Sequence, residues 1–112
     1  MPDCLFCQII AGDIPAEVVA ETSTAFAFRD VNPQAPLHVL VVPRTHAADV
    51  GELAEVEPGT VPELVRVARQ VATEAGHDSY RLVVNTGAEA GQTVLHAHLH
   101  VLAGRALAWP PG

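Results

Sequence analysis

The chain has 112 residues, 49% of them apolar and 17% charged, a balance that supports one packed core and argues against disorder. Its net charge is −7 and it contains no lysine, so a nucleic-acid polymer is excluded as a partner: six scattered arginines make no basic stripe. The longest apolar run, PLHVLVVP, is too short to cross a bilayer, and MPDCLFC carries no basic leader, so no membrane partner and a cytoplasmic location are expected.

Residues 1–112 read as a single domain. LFCQIIAGDIP predicts a short helix, with Leu5, Phe6, Ile9 and Ile10 at helical spacing and Gly12 and Pro15 as stops. Cys4 and Cys7 frame its first turn. That spacing suits metal or redox chemistry in a reducing compartment, and equally suits two small, partly buried side chains. EVVAET and AFAFRD predict two strands joined by a turn near Ser23 and Thr24. After the breaker NPQAP comes LHVLVVP, the most β-rich run, ended by Pro43.

PGTVPELVRVARQVATEAG predicts the one long helix. Thr60 and Glu63 have capping-box spacing, Pro62 falls in the first turn, and Gly76 suits the C-terminal cap. Leu64, Val67, Ala68, Val71 and Ala72 form its apolar stripe, and His77 just beyond suits the negative end of the helix dipole. YRLVVNTG and VLHAHLHVLAG then predict two more strands around a glycine-containing loop. Strands with a helix inserted between them imply an α+β domain on an antiparallel sheet.

The last strand holds His96, His98 and His100, three of the chain's six histidines, at every second position. On a strand these share one face, while Ala97, Leu99 and Val101 point to the opposite one. Three readings fit: a metal site, a solvated polar face, and imidazole catalysis. Strict alternation makes chance a poor account. Three histidines in a row on one strand also reach a single ion awkwardly, and imidazole serves as nucleophile, acid and base near neutral pH.

HAHLHVL is similar to the signature of the histidine-triad (HIT) proteins. CLFCQIIAGDIPAEVVAET, FAFRDVNPQAPLHVLVVPRTH, YRLVVNTGAEAGQTVLHAHLHVLAGR and the tail WPPG resemble the Hint branch in matching order. The resemblance implies a five-stranded antiparallel sheet with one long and one short helix, two chains joining into a ten-stranded sheet. It also implies hydrolysis of purine nucleoside 5′-phosphoramidates through a covalent nucleotidyl-histidine, with no cofactor required for catalysis. Dinucleoside polyphosphate hydrolysis, or nucleotide binding without significant turnover, are the alternatives.

By this resemblance His98 is the nucleophile, His100 and His38 flank the phosphate and the leaving group, and His96 completes the histidine set. Asn85, Gly91, Gln92 and Thr93 match positions around the phosphate, Thr93 standing where the branch commonly has serine. Asp30 resembles the acceptor of the ribose hydroxyls. Phe6, Ile9, Phe28 and Val31 resemble the walls of the purine slot, and Trp109 in the tail resembles a residue that reaches the partner's site. Some family members hold zinc on two cysteines and two histidines, here Cys4, Cys7, His46 and His96. A closed Cys2His2 set implies a structural zinc.

Overall fold

The structure, a computed structural model, describes residues 3–112. Its strands are β1 (Val18–Glu21), β2 (Ala25–Arg29), β3 (Leu37–Pro43), β4 (Arg81–Val83) and β5 (Leu99–Ala103). Its helices are α1 (Leu5–Ile10), α2 (Val50–Val56) and α3 (Thr60–Glu74), and Ala88–Ala90 form a short 3-10 turn. The sheet runs β1-β2-β3-β5-β4 with every neighbouring pair antiparallel, the α+β arrangement expected.

β3 is buried along its whole length because it is central and covered on both faces. Alternation divides its side chains: Val39 and Val41 join the core beneath α3, while Leu40 and Val42 join a second cluster with Phe6 and Ile9 of α1. β2 divides the same way, Ala25 and Ala27 toward α3 and Phe26 and Phe28 toward α1. On β5, Leu99, Val101 and Ala103 face α3, which leaves the His98–His100 side facing α1. The sequence pattern thus sorts bulk hydrophobic packing to one face and aromatic and imidazole rings to the other.

Three local features depart from expectation. α2 joins the two helices anticipated; only Leu53 of it is buried, so it leaves no apolar stripe in the sequence. Its readable signal is a cap. The Asp49 carboxylate accepts from the Glu52 N–H at 2.8 Å, and the Glu52 carboxylate accepts from the Ala48 N–H at 3.0 Å. The expected capping box at Thr60 and Glu63 does not form. Thr60 is already helical, its N–H reaches Glu57 O at 3.0 Å, and the cap position falls to Gly59 with no side-chain bond. Gly76 does close α3, with φ of +86° and the His77 N–H on Ala72 O at 2.9 Å.

The expected strands over 80–87 and 94–104 are shorter. β4 keeps three residues and β5 begins only at Leu99. The segment before β5 is held instead by loop contacts, among them the Ala97 N–H on Ala47 O at 2.7 Å. Among the described residues, no helix is long and apolar enough to cross a membrane.

Candidate active site

A cleft of about 430 Å³ lies between α1 and the sheet. Leu5, Phe6 and Ile9 of α1 form one wall, Phe28 and Leu40 of the sheet another, and His98 and His100 the floor. Asp30, Val31, Thr93 and Val94 complete the lining. The sequence-predicted residues Phe6, Ile9, Phe28, Asp30, Val31, Thr93, His98 and His100 therefore converge on one cavity.

Hydrogen bonds fix the ring states. The His98 Nδ1–H donates to the backbone carbonyl of His96 at 2.7 Å, so Nε2 keeps the lone pair. Phe6 packs edge-to-face on that ring, centroids 5.2 Å apart at 88°, which holds its plane. A second chain of bonds sets His38 and His100. The Gln34 N–H donates to His38 Nδ1 at 3.0 Å, which leaves the proton of neutral His38 on Nε2. That Nε2–H meets His100 Nδ1 at 2.9 Å, so neutral His100 carries its own proton on Nε2. Asp30 Oδ2 lies 3.5 Å from His38 Nε2.

Burial governs the charges here. It pushes His100 down to about 4, helped by the neighbouring His98 and His38 and opposed by the Asp30 carboxylate. It also lowers His38, again against Asp30. Near neutral pH the pair is an uncharged donor relay ending on the cleft floor. Asp30, His38 and His100 bring ligand atoms within 4.8 Å of one another. The tautomers argue against a cation there, because His38 offers Nε2 as N–H rather than as a lone pair.

His96 faces a different task. Its ring is wholly buried, and burial holds it below the usual imidazole range, reinforced by His46 and His98 and opposed by the Pro43 carbonyl. Its Nε2–H donates to Pro43 O at 2.9 Å, which turns the Nδ1 lone pair toward Cys4 Sγ at 3.3 Å, Cys7 Sγ at 3.5 Å and His46 Nδ1 at 3.2 Å. Cys7 Sγ lies 3.5 Å from His46 Nδ1. Tetrahedral zinc at ordinary bond lengths needs edges of about 3.3 Å between nitrogens and about 3.6 Å between nitrogen and sulfur. These four separations match those edges, all four donors lie within 4.8 Å of one another, and the Pro43 carbonyl supplies the outer hydrogen bond that orients a ligating imidazole. Burial, with Cys4 alongside, raises the Cys7 thiol in the metal-free chain.

The remaining expected residues sit outside the cleft lining. Gln92 is buried and its amide is held by backbone groups: Nε2–H donates to Ala48 O and Val94 O, and Oε1 accepts from the Gly87 N–H. It builds the loop that carries Thr93. Asn85 lies beside Gly91, within 3.7 Å of where a Cβ on that glycine would fall. Gly91 itself holds φ of +99°, a conformation that favours glycine. Trp109 is 82% exposed and is not among the residues that line the cleft.

Sequence reasoning missed Leu5, Ile14, Leu40 and Val94 in the cleft and Gln34 behind it. Leu40 was findable, since it shares a strand face with His38. Gln34 acts through its backbone N–H, for which side-chain chemistry gives no signal.

The HIT domain family model matches residues 11–107. An uncharacterised HIT-like protein of Synechocystis is 45% identical over 111 residues, covering 98% of this chain and 97% of that one. Among solved structures, a HIT family hydrolase from Clostridium thermocellum superposes with a TM-score of 0.93 at 37% identity, covering 96% of each chain. One from Legionella pneumophila gives 0.93 at 42%, covering 98% of this chain and all of that one. With the family model matching residues 11–107 and the fold shared throughout, this chain belongs to the HIT domain family.

Proposed function

We propose that the protein is a hydrolase of purine nucleoside 5′-phosphoramidates that works through a covalent nucleotidyl-histidine. The observation that carries this is the pinned His98 ring: Nδ1–H is spent on the His96 carbonyl, and Nε2 keeps its lone pair on the floor of a nucleoside-sized cleft. The hydrolase names of the structural neighbours support the reaction class.

The base lies between Phe6, Ile9 and Phe28, and the Asp30 carboxylate accepts from the ribose hydroxyls, placing the α-phosphorus over His98. His98 Nε2 attacks; its bond to phosphorus forms as the phosphorus–amine bond breaks. The His100 Nε2–H meets the phosphoryl oxygens. Their negative charge draws a proton onto the His38–His100 pair, from which the departing amine is protonated. Water then attacks the phosphorus, His98 leaves with its lone pair restored, and the water proton refills the pair. No step requires a metal at phosphorus.

Cys4, Cys7, His46 and His96 would hold zinc, whose contribution is a cross-link between the N-terminal turn and the sheet. The exposed Trp109 and the exposed edge of β4 suit a homodimer with a continuous ten-stranded sheet. The His98→Ala variant tests the central assignment: turnover of adenosine 5′-phosphoramidate should disappear while AMP still binds. Turnover at the wild-type rate would remove the nucleophile from the scheme.

A further inference from the structure

The N–H that fixes the proton position of His38 belongs to Gln34, and that residue is held from outside the cleft at its carbonyl. The segment between β2 and β3 forms an arch over residues 30–36. At its start the Asp30 carboxylate accepts from the Asn32 N–H at 2.8 Å; midway the Gln34 amide donates to Asn32 O at 3.1 Å. The Gln34 N–H points inward to His38 Nδ1, and its carbonyl points outward to the Arg105 Nε–H at 2.9 Å. Arg105 is itself tethered, its Nη1–H on Ala106 O at 3.0 Å.

A second contact fixes the same join. Gly104, with φ of +98°, lies so close to Pro36 that an added Cβ would stand 2.8 Å from the proline ring. The exit of β5 therefore grips the arch twice, once by close packing at Pro36 and once by hydrogen bond at Gln34.

We infer that Arg105 is a positioning residue for the reaction proposed above: by anchoring residue Gln34 at its carbonyl it keeps the Gln34 N–H on His38, and so sets the tautomer of His38 and the proton that His100 presents to the leaving group. The inference rests on that proposed reaction for its consequence, and on the hydrogen-bond chain alone for its geometry. The Gln34 N–H and C=O flank one α-carbon, so a donor that anchors the carbonyl, together with the close packing at Pro36, restricts how far residue 34 can move away from His38. If Gln34 shifts and its N–H turns away, His38 Nδ1 loses its donor. The ring can then carry its proton on Nδ1, and His38 Nε2 and His100 Nδ1 would face each other as two lone pairs. Arg105 reaches no cleft-lining position, so its loss should act on the chemical step and not on nucleotide binding.

The test replaces the exposed Arg105 in the full-length protein. Ring-nitrogen NMR of 15N-histidine-labelled wild type should show His38 protonated on Nε2. In Arg105→Met the His38 signals should shift toward a mixture of tautomers, with kcat on adenosine 5′-phosphoramidate down about tenfold and KM within about twofold. His38 ring signals identical to wild type in Arg105→Met would overturn the inference, whatever the rate. If the wild-type protein fails to turn over the phosphoramidate at all, the proposed reaction falls while the ring signals still decide the clamp.

Discussion

His98 and His96 are joined by a 2.7 Å hydrogen bond from the ring of one to the backbone carbonyl of the other. The same His96 places its ring among Cys4, Cys7 and His46. One residue thus serves two sites through two different groups, its carbonyl to the cleft and its imidazole to the cysteine sulfurs. Spacing of two along the chain makes this possible, because the His98 ring reaches back to the carbonyl two residues before it.

The Cys2His2 cluster should bind zinc and contribute to stability. Purified protein is expected to carry about one zinc per chain, and chelation should lower the melting temperature by several degrees. Cys7→Ser should lose the metal. Full-length protein with no zinc by elemental analysis after zinc reconstitution would contradict the ligand set.

Phe6 packs against Phe28 at 5.4 Å and His98 at 5.2 Å and lines the cleft. Phe6→Ala should therefore cost about 3 kcal/mol of folding stability. It should also weaken AMP binding, because one wall of the slot and the brace on His98 go together. Denaturant melts and calorimetric titration separate the two effects. Unchanged affinity would take Phe6 out of the base slot.

Asp30 is expected to read the ribose. Asp30→Asn should weaken binding of AMP about tenfold and leave binding of the 2′,3′-dideoxy analogue nearly unchanged. Equal losses on both ligands would assign Asp30 to the arch alone, where it caps the Asn32 N–H.

Acid should destabilise the metal-free protein over a defined window. Burial holds His38, His96 and His100 below the 6.5 of a free imidazole, His100 at about 4. As pH falls through 6.5 the unfolded chain takes up protons that the folded chain refuses, so the unfolded state binds more and stability rises with pH. Stability should be full above about pH 6.5 and decline toward about pH 4. Urea midpoints at several pH values check this, and a midpoint that rises on acidification would contradict it.

Much of the molecule was legible because burial follows alternation. The run LHVLVVP reads as a strand and is one, and Ala97, Leu99 and Val101 go to the α3 face as period two demands. The long helix announced itself by its stripe from Leu64 to Ala72. α2 did not, since a helix burying a single leucine has no stripe to read, and its Asp49–Glu52 cap was the only trace.

Site residues followed the same logic. Side chains that act by their own chemistry, such as His98 and Asp30, were named from the sequence and line the cleft. Those whose place depends on loop geometry were not separable: Gln92 spends its amide on backbone groups, and the Gln34 peptide works unseen behind His38. The three histidines also divide, because the chain bends before Leu99 and only His98 and His100 reach the cavity.

The most direct measurement is peptide mass spectrometry of wild-type protein mixed with adenosine 5′-phosphoramidate and quenched without acid within the first turnover. The account predicts an AMP adduct on the peptide carrying His98, absent from His98→Ala. Steady hydrolysis by wild type with no adduct at any time, and with phosphorus inverted in a single displacement, would contradict it.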